Sequence, residues 1–350
     1  MSRSLVSAIL FPFLLLSVRA QVPQTSVSLA GESADVTPSP FEVAQGLAAK
    51  GRLDQAMAQL DQLAVQTPEP VGVERLRGII FYQKERFPEA IEAFTKAAVQ
   101  DPADRESIEM HGVSLFRLGR FREALPLLEA AHAAVDRANI DPEYVLGLCY
   151  ADLGRYDDAR HAFAAQYGFA PDSAEAYLLA GRLFLRREMT EEAGVQARKA
   201  LEINPTLPLA HQLLGEIALA KADPPEAIHE LEAERGLNPL NGALYDRLGD
   251  AYLRNGQYPE AQQALSRAVL LEPGATAPYI LLGQTFLKLK NPIQALHYLD
   301  HAVKMDPSNY ITHNLLGQAY KATGQTDDAN REFKMGVDLQ NGHRTQPAGK

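Results

Sequence analysis

The sequence predicts an all-α solenoid of about nine helix-turn-helix units, and three observations carry that prediction. Gly147, Gly181, Gly215, Gly249, Gly283 and Gly317 stand 34 residues apart. Ala159, Ala193, Ala227, Ala261, Ala295 and Ala329 keep the same spacing, as do Pro171, Pro205, Pro239, Pro273 and Pro307. Three independent series with one period mark a chain of repeated supersecondary units, each burying its apolar face only against its neighbours. Composition agrees: 46% of the 350 residues are hydrophobic, yet only 7% are aromatic and none is Trp, so Ala, Leu and Gly must do the packing.

The chain opens with a segment of another kind. Residues 1–20 place Arg3 before an apolar run from Leu5 to Leu16 and end in Val18-Arg19-Ala20, the pattern of a secretory signal cleaved after Ala20. The run is too short for the roughly 20 residues of a spanning helix, and Pro12 interrupts it. Its removal takes away Arg3 and Arg19 and moves the net charge from -10 to -12. The expected location is therefore the periplasm or the extracellular space. Residues 21–36 are rich in Ser, Thr, Pro and Gly without helical periodicity and read as a flexible linker.

Repeat units follow from residue 37 to residue 343, starting at 37, 71, 105, 140, 174, 208, 242, 276 and 310. Unit seven shows the internal pattern most clearly. Leu248, Gly249 and Tyr252 recur at helical spacing, Gly256 interrupts, and Ala261, Leu265 and Ala268 resume the period until Pro273 stops it. The Gly at the eighth position and the Ala at the twentieth lack bulk so that two helices can approach. Pro cannot continue the second helix, because it removes a backbone donor and clashes with the preceding turn. Unit one is degenerate, with Ala44 in place of the Gly, and unit six carries Glu234 where Ala is usual. Unit three holds one extra residue and has Asp136 in place of the terminal Pro. A longer second helix is expected there, followed by a fresh start with Asp141 as N-cap and Pro142 in the first turn. In unit nine, Asn330 stands where earlier units have Ile91, Leu125, Ile228 or Leu296, and Lys334 joins it, as suits a helix with no successor. Residues 344–350 are expected to form a polar, disordered tail.

This order of Leu-Gly, Tyr, Gly, Ala, Leu, Ala and Pro on a 34-residue period resembles the tetratricopeptide repeat (TPR) family over about seven-eighths of the chain. The family often has Trp early in the first helix. Here Tyr177, Tyr245 and Tyr279 take that place, and His211 and His313 do so in two units. The resemblance implies a right-handed superhelix whose concave groove is lined by first helices. Near unit positions 2, 5, 9, 12 and 13 it assigns to that groove Arg75, Tyr82, Phe116, Arg117, Tyr144, Leu148, Leu178 and Arg182 in the earlier units. In the later units it assigns Gln212, Glu216, Asp246, Asp250, Gln284, Lys288, Asn314 and Gln318. The first half of the groove is thus expected to be apolar with Arg, and the second polar with carboxylates that could meet a basic element of a partner. Chaperone-binding members of the family use a Lys and Asn clamp, but the corresponding positions carry Phe41, Arg75, Glu109 and Tyr144. Sugar-transferase members carry an Asn ladder, of which only Asn314 is present.

Chemistry has little room beside such an array. The sequence holds no Gly-rich phosphate loop after a strand, no nucleophile elbow and no metalloprotease helix. One Cys excludes an intrachain disulfide and a Cys-based zinc cage, and Cys149 falls where Ile80, Ile217 and Ala251 stand in other units, as a buried thiol would. His297 and His301 lie one turn apart beside Asp300 but lack a third ligand close in sequence. His161, His229 and His297 share one unit position in units too far apart to meet, and read as surface residues. No metal site, cofactor or catalytic group is expected. Net negative charge argues against nucleic acid as a partner. The resulting expectation is a non-catalytic scaffold that binds a protein segment in its groove. The competing expectation is an accessory subunit that binds glycan or a small ligand for a separate enzyme, with Tyr82, Phe116 and Tyr144 as its flat aromatics.

Overall fold

A computed structural model describes residues 38–133 and 143–345, with side chains as far as residue 342. Eighteen helices and no strand make up the described residues. They pair as expected. Unit one joins α1 (Pro40–Ala49) to α2 (Leu53–Ala64), unit two α3 (Val73–Gln83) to α4 (Phe87–Gln100), and unit three α5 (Arg105–Arg117) to α6 (Phe121–Ala133). Unit four joins α7 (Glu143–Asp152) to α8 (Tyr156–Tyr167), unit five α9 (Ala174–Arg186) to α10 (Thr190–Ile203), and unit six α11 (Ala210–Ala220) to α12 (Pro224–Leu237). Then come α13 (Gly242–Arg254) with α14 (Tyr258–Leu271), α15 (Thr276–Lys288) with α16 (Pro292–Met305), and α17 (Tyr310–Ala322) with α18 (Thr326–Thr345). The leader, the linker, Asp136, Asp141 and Pro142 lie outside the described residues. The described part of α6 reaches Ala133, so the expected extension of that helix also lies outside the described residues, and α18 runs to Thr345, two residues beyond the expected end of the repeats.

Local chemistry sets the helix ends. Ser39 and Glu42 close a reciprocal capping box, in which Ser39 Oγ accepts from Glu42 N at 3.2 Å and Glu42 Oε2 accepts from Ser39 N at 2.7 Å. Asp104, Ser173, Asn241 and Asn309 cap α5, α9, α13 and α17 with side-chain oxygens. The helices α10, α12, α14 and α16 each stop two residues before the unit's terminal Pro.

The eighth-position Gly has a sharper role than close approach in general. A Cβ built on Gly249 would lie 2.4 Å from Leu265 Cγ, and one on Gly283 would lie 2.3 Å from Leu299 Cγ. The same position meets Phe94 in unit two, Leu128 in unit three, Phe163 in unit four, Leu231 in unit six and Phe333 in unit nine. Each second helix thus inserts one large side chain into the notch left by a missing methyl group on the first. Unit five departs from this: Ala197 replaces the large residue, and Leu213 of the following unit fills the notch of Gly181 instead, 2.9 Å from the built Cβ.

Neighbouring units pack second helix to first helix all along the chain. First helices also touch the first helix of the next unit from α1 through α7 and from α9 through α17, whereas no two second helices pack to that extent. The stack therefore closes up on the first-helix side and opens on the other, which makes the first helices the inner wall. At the α7 to α9 step the rings of Tyr144, Phe163, Phe184 and Tyr156 fill the space, with Phe163 and Phe184 centroids 6.3 Å apart in an edge arrangement.

The aromatic residues that replace the usual Trp have a polar role as well. Tyr245 and Tyr279 donate their hydroxyls to the carbonyls of Pro239 and Pro273, and His313 Nε2 reaches the carbonyl of Pro307 at 2.9 Å. Each ties the start of a unit to the Pro that closed the one before.

Candidate functional site

The inner wall is the candidate interaction surface, and the structure sorts its expected residues into three groups. Leu148 and Gln212 are only 7% exposed and belong to the packing. Leu148 sits in the core with Phe163 and Phe184, and Gln212 donates to Glu216 at 2.9 Å while accepting from Asn241 at 2.9 Å. Neither presents a free group to a partner, and both are removed from the expected lining. Their positions face the seam between consecutive first helices.

A second group is half-buried. Tyr82 packs edge-on against Phe87, Phe116 tilts against Phe121, and Tyr144 tilts against Phe163, with Leu178 against the same core. Burial raises the phenol of Tyr144 above its ordinary range. These side chains are partly exposed and partly packed against the protein. Arg75 pairs with Asp104 at 3.4 Å and with Glu106 at 3.7 Å, and Arg182 donates to the Leu209 carbonyl at 3.4 Å. Asn314 fits against Gly336, where a Cβ would lie 2.5 Å from its Oδ1, and Gln284 on α15 is half-buried.

Fully exposed members are Arg117, which lies 4.8 Å over the Phe87 ring, Lys288 and Gln318. The expected acidic half is not open. Arg247 approaches Glu216 at 3.8 Å and Asp246 at 3.2 Å, and Arg254 holds Asp250 at 2.8 Å. Arg247, one residue from Asp246 and brought against Glu216 of α11, and Arg254, four residues from Asp250, thus offset part of the charge of three carboxylates that sequence spacing alone leaves free. Asp246 is nevertheless shifted upward, chiefly by burial and against the pull of Arg247. The inner wall is apolar with Arg in its first half and a polar surface of partly compensated charge in its second.

No metal or catalytic grouping forms on this wall among the described residues. His301 lies tilted 4.5 Å from Tyr279, His297 stands edge-on to Tyr298, and Asp300 pairs with Lys304, so the two exposed histidines of HYLDH lie against neighbouring rings. Cys149 is fully buried, and burial pushes its thiol up to about 12, far from a nucleophile's range. Among the described residues no helix is long and apolar enough to cross a membrane.

Sequence reasoning missed the role of Glu234, noted only as an exception to Ala. It is fully buried and accepts from Leu209 N at 2.8 Å and from Gln212 N at 3.4 Å. Leu209 begins α11 in the left-handed region with φ 70, where no cap from its own side chain is possible. The carboxylate from α12 therefore serves as the N-terminal cap of α11. A buried Glu facing the first turn of the preceding helix was the available signal.

Comparison with known proteins agrees with this architecture. Residues 24–202 match the family model described as T7SS, ESX-1 secretion system protein EccA1, N-terminal domain. Residues 242–275 and 277–309 each match a tetratricopeptide repeat model. No curated protein matches the chain. Similar solved structures include MamA from Desulfovibrio magneticus RS-1, at 23% identity over 50% of this chain and 97% of that one, with a TM-score of 0.46. PilF of Pseudomonas aeruginosa is 24% identical over 47% of this chain and 76% of its own, with a TM-score of 0.44. The Cut9–Hcn1 hetero-tetramer of the APC/C gives 17% identity over 80% of this chain and 55% of that chain, with a TM-score of 0.44. On the family match over half of its length, the repeat models over units seven and eight and the 34-residue period, the chain belongs to the tetratricopeptide repeat family, its residues 24–202 in the form described as the EccA1 N-terminal domain.

Proposed function

We propose that this protein is a non-catalytic scaffold that holds an extended or helical segment of a partner protein against its first-helix wall, in the periplasm or outside the cell. The observation that carries this reading is the wall itself. The half-buried edges of Tyr82, Phe116, Tyr144 and Leu178 form apolar contact points in the first half, with exposed Arg117 beside them. Such amphipathic edges, already held by packing, lose little side-chain entropy when a partner covers them. The second half contributes Lys288 and Gln318 and a surface whose carboxylates are already paired, so it favours polar contacts over a strongly basic element. Export rests on the leader at residues 1–20. The shared family with a domain of a secretion-system protein supports a place beside a larger protein assembly.

A glycan-binding accessory subunit is less well served by the same residues. Carbohydrate stacks on exposed ring faces, and the three aromatic rings here are half-buried, each packed at an angle against another ring, that of Phe87, Phe121 or Phe163.

Placing a photo-crosslinking amino acid at Arg117 or Gln318 on the inner wall, and at Val195 on the outer side, tests the proposal in the native cell. Adducts to the same partner are expected from the inner positions and not from Val195. Adducts only from Val195, or to soluble glycan with no protein, would overturn it. Fractionation with N-terminal sequencing tests the compartment, with Gln21 expected as the first residue.

A further inference from the structure

On the outer helix of unit six, Glu226, His229 and Glu230 bring three ligand atoms within 4.8 Å of one another. They stand at i, i+3 and i+4 of α12, so one helical face presents all three. His211, from α11, donates Nδ1 to Glu230 Oε2 at 2.7 Å. That bond fixes the carboxylate and leaves Oε1 turned toward His229, 3.6 Å from its Nδ1. Glu230 is only 9% exposed, whereas His229 is open to solvent.

Units two, three, four and nine act as internal controls for the charge at this place, while units five and seven keep the carboxylate, as Glu192 and Glu260, but have Val195 and Gln263 where His229 stands. In units two, three and four the carboxylate equivalent to Glu226 is Glu89, Glu123 or Asp158, and each is paired with the Arg three residues earlier: Arg86, Arg120 or Arg155. Unit six has Asp223 in place of that Arg, and Asp223 caps α12 by accepting from Glu226 N at 3.2 Å. Unit nine repeats the His–carboxylate pair, with His313 Nδ1 on Glu332 Oε2 at 2.6 Å, but there Arg331 stands where His229 does and pairs with Asp328. Each of units two, three, four and nine thus supplies its own cation. In unit six no Lys or Arg among the described residues forms an ion pair with Asp223, Glu226 or Glu230. Three carboxylates outweigh the partial positive charge of the α12 N-terminus, and two imidazoles meet them.

We propose that Glu226, His229 and Glu230 bind one divalent first-row transition ion of the Zn2+ kind, with His211 as the residue that positions Glu230. One imidazole and two carboxylates suit such an ion and not Ca2+ or Mg2+, which select all-oxygen sets. Three protein ligands leave a coordination position open to water or to a ligand from a partner.

Calorimetric titration of ZnCl2 into the full chain, without a polyhistidine tag, tests this directly. A saturable phase of one ion per chain is expected. His229→Ala, Glu226→Gln and Glu230→Gln should each weaken it at least about tenfold, as losing a ligand does, and His211→Ala should weaken it roughly tenfold, the effect of losing an orienting partner. His297→Ala with His301→Ala, which removes a surface pair in unit eight, should leave it unchanged. Because His229 is exposed, its variant keeps the helical circular-dichroism spectrum of the parent. No saturable phase, or a phase lost with His297 and His301 but kept without His229, would overturn the proposal.

Discussion

At Gly249 one added methyl group would press on Leu265 Cγ at 2.4 Å, a contact that cannot be relieved by turning a flexible side-chain end. Gly249→Ala is therefore expected to destabilise unit seven by about 1–3 kcal/mol through overpacking, despite the better helix propensity of Ala. Gly46, inside α1, has nothing within 4 Å of a built Cβ, so Gly46→Ala should instead stabilise that helix by about 0.5–1 kcal/mol. Urea midpoints for the first variant and amide exchange of α1 for the second check the two signs. Spacing alone identified Gly249 as a close contact but not Gly46 as a free one, because the comb at 34 residues records where a large side chain answers the Gly. Arg160 shows the reverse limit. It is 3% exposed, donates to the Pro171 carbonyl and Asp172, and lies 4.2 Å from the Tyr177 ring, yet nothing in its sequence neighbourhood sets it apart from a surface arginine.

Between the two helices of every unit the chain makes the same turn. Its fifteenth position takes a left-handed backbone throughout, as Gly in units one, three, four, seven and nine, and as Glu85, Glu188, Ala222 and Lys290 in the others. A side chain costs about 1–2 kcal/mol in that conformation. Ala222→Gly should therefore raise stability by about 0.5–1 kcal/mol after the greater freedom of Gly in the unfolded chain is counted, and Gly256→Ala should lower it by more than that. Guanidinium unfolding of both variants against the parent measures the difference. The existence and order of the helices were legible because apolar period, turn Gly and terminal Pro all agreed on them. The pairing of the inner-wall carboxylates was not, since whether Arg247 and Arg254 fold back on Glu216, Asp246 and Asp250 depends on side-chain geometry that no spacing encodes. In unit six the i, i+3, i+4 spacing of Glu226, His229 and Glu230 was legible, but the hold of His211 on Glu230 from another helix was not.

Taken as a whole, the described array has α18 as its last helix, with no described unit packed on it. Asn330, Arg331 and Lys334 are exposed on α18, while Leu315, Leu316 and Ala319 of α17 close the core over Leu299 and Phe286. A chain ended at Ser308 would uncover that apolar face. It is expected to shift to larger species in size-exclusion light scattering and to melt below the full chain. The contacts along the inner wall carry a mechanical meaning too. First helices lean on one another in the steps from α1 through α7 and from α9 through α17, and second helices do not to that extent, so the neutral axis of bending runs nearer the inner row. Flexing the array then opens or closes the gaps between outer helices while the inner row keeps its length. Like a leaf spring, it can change its radius around a thick or a thin segment and still present its contact residues at the same intervals.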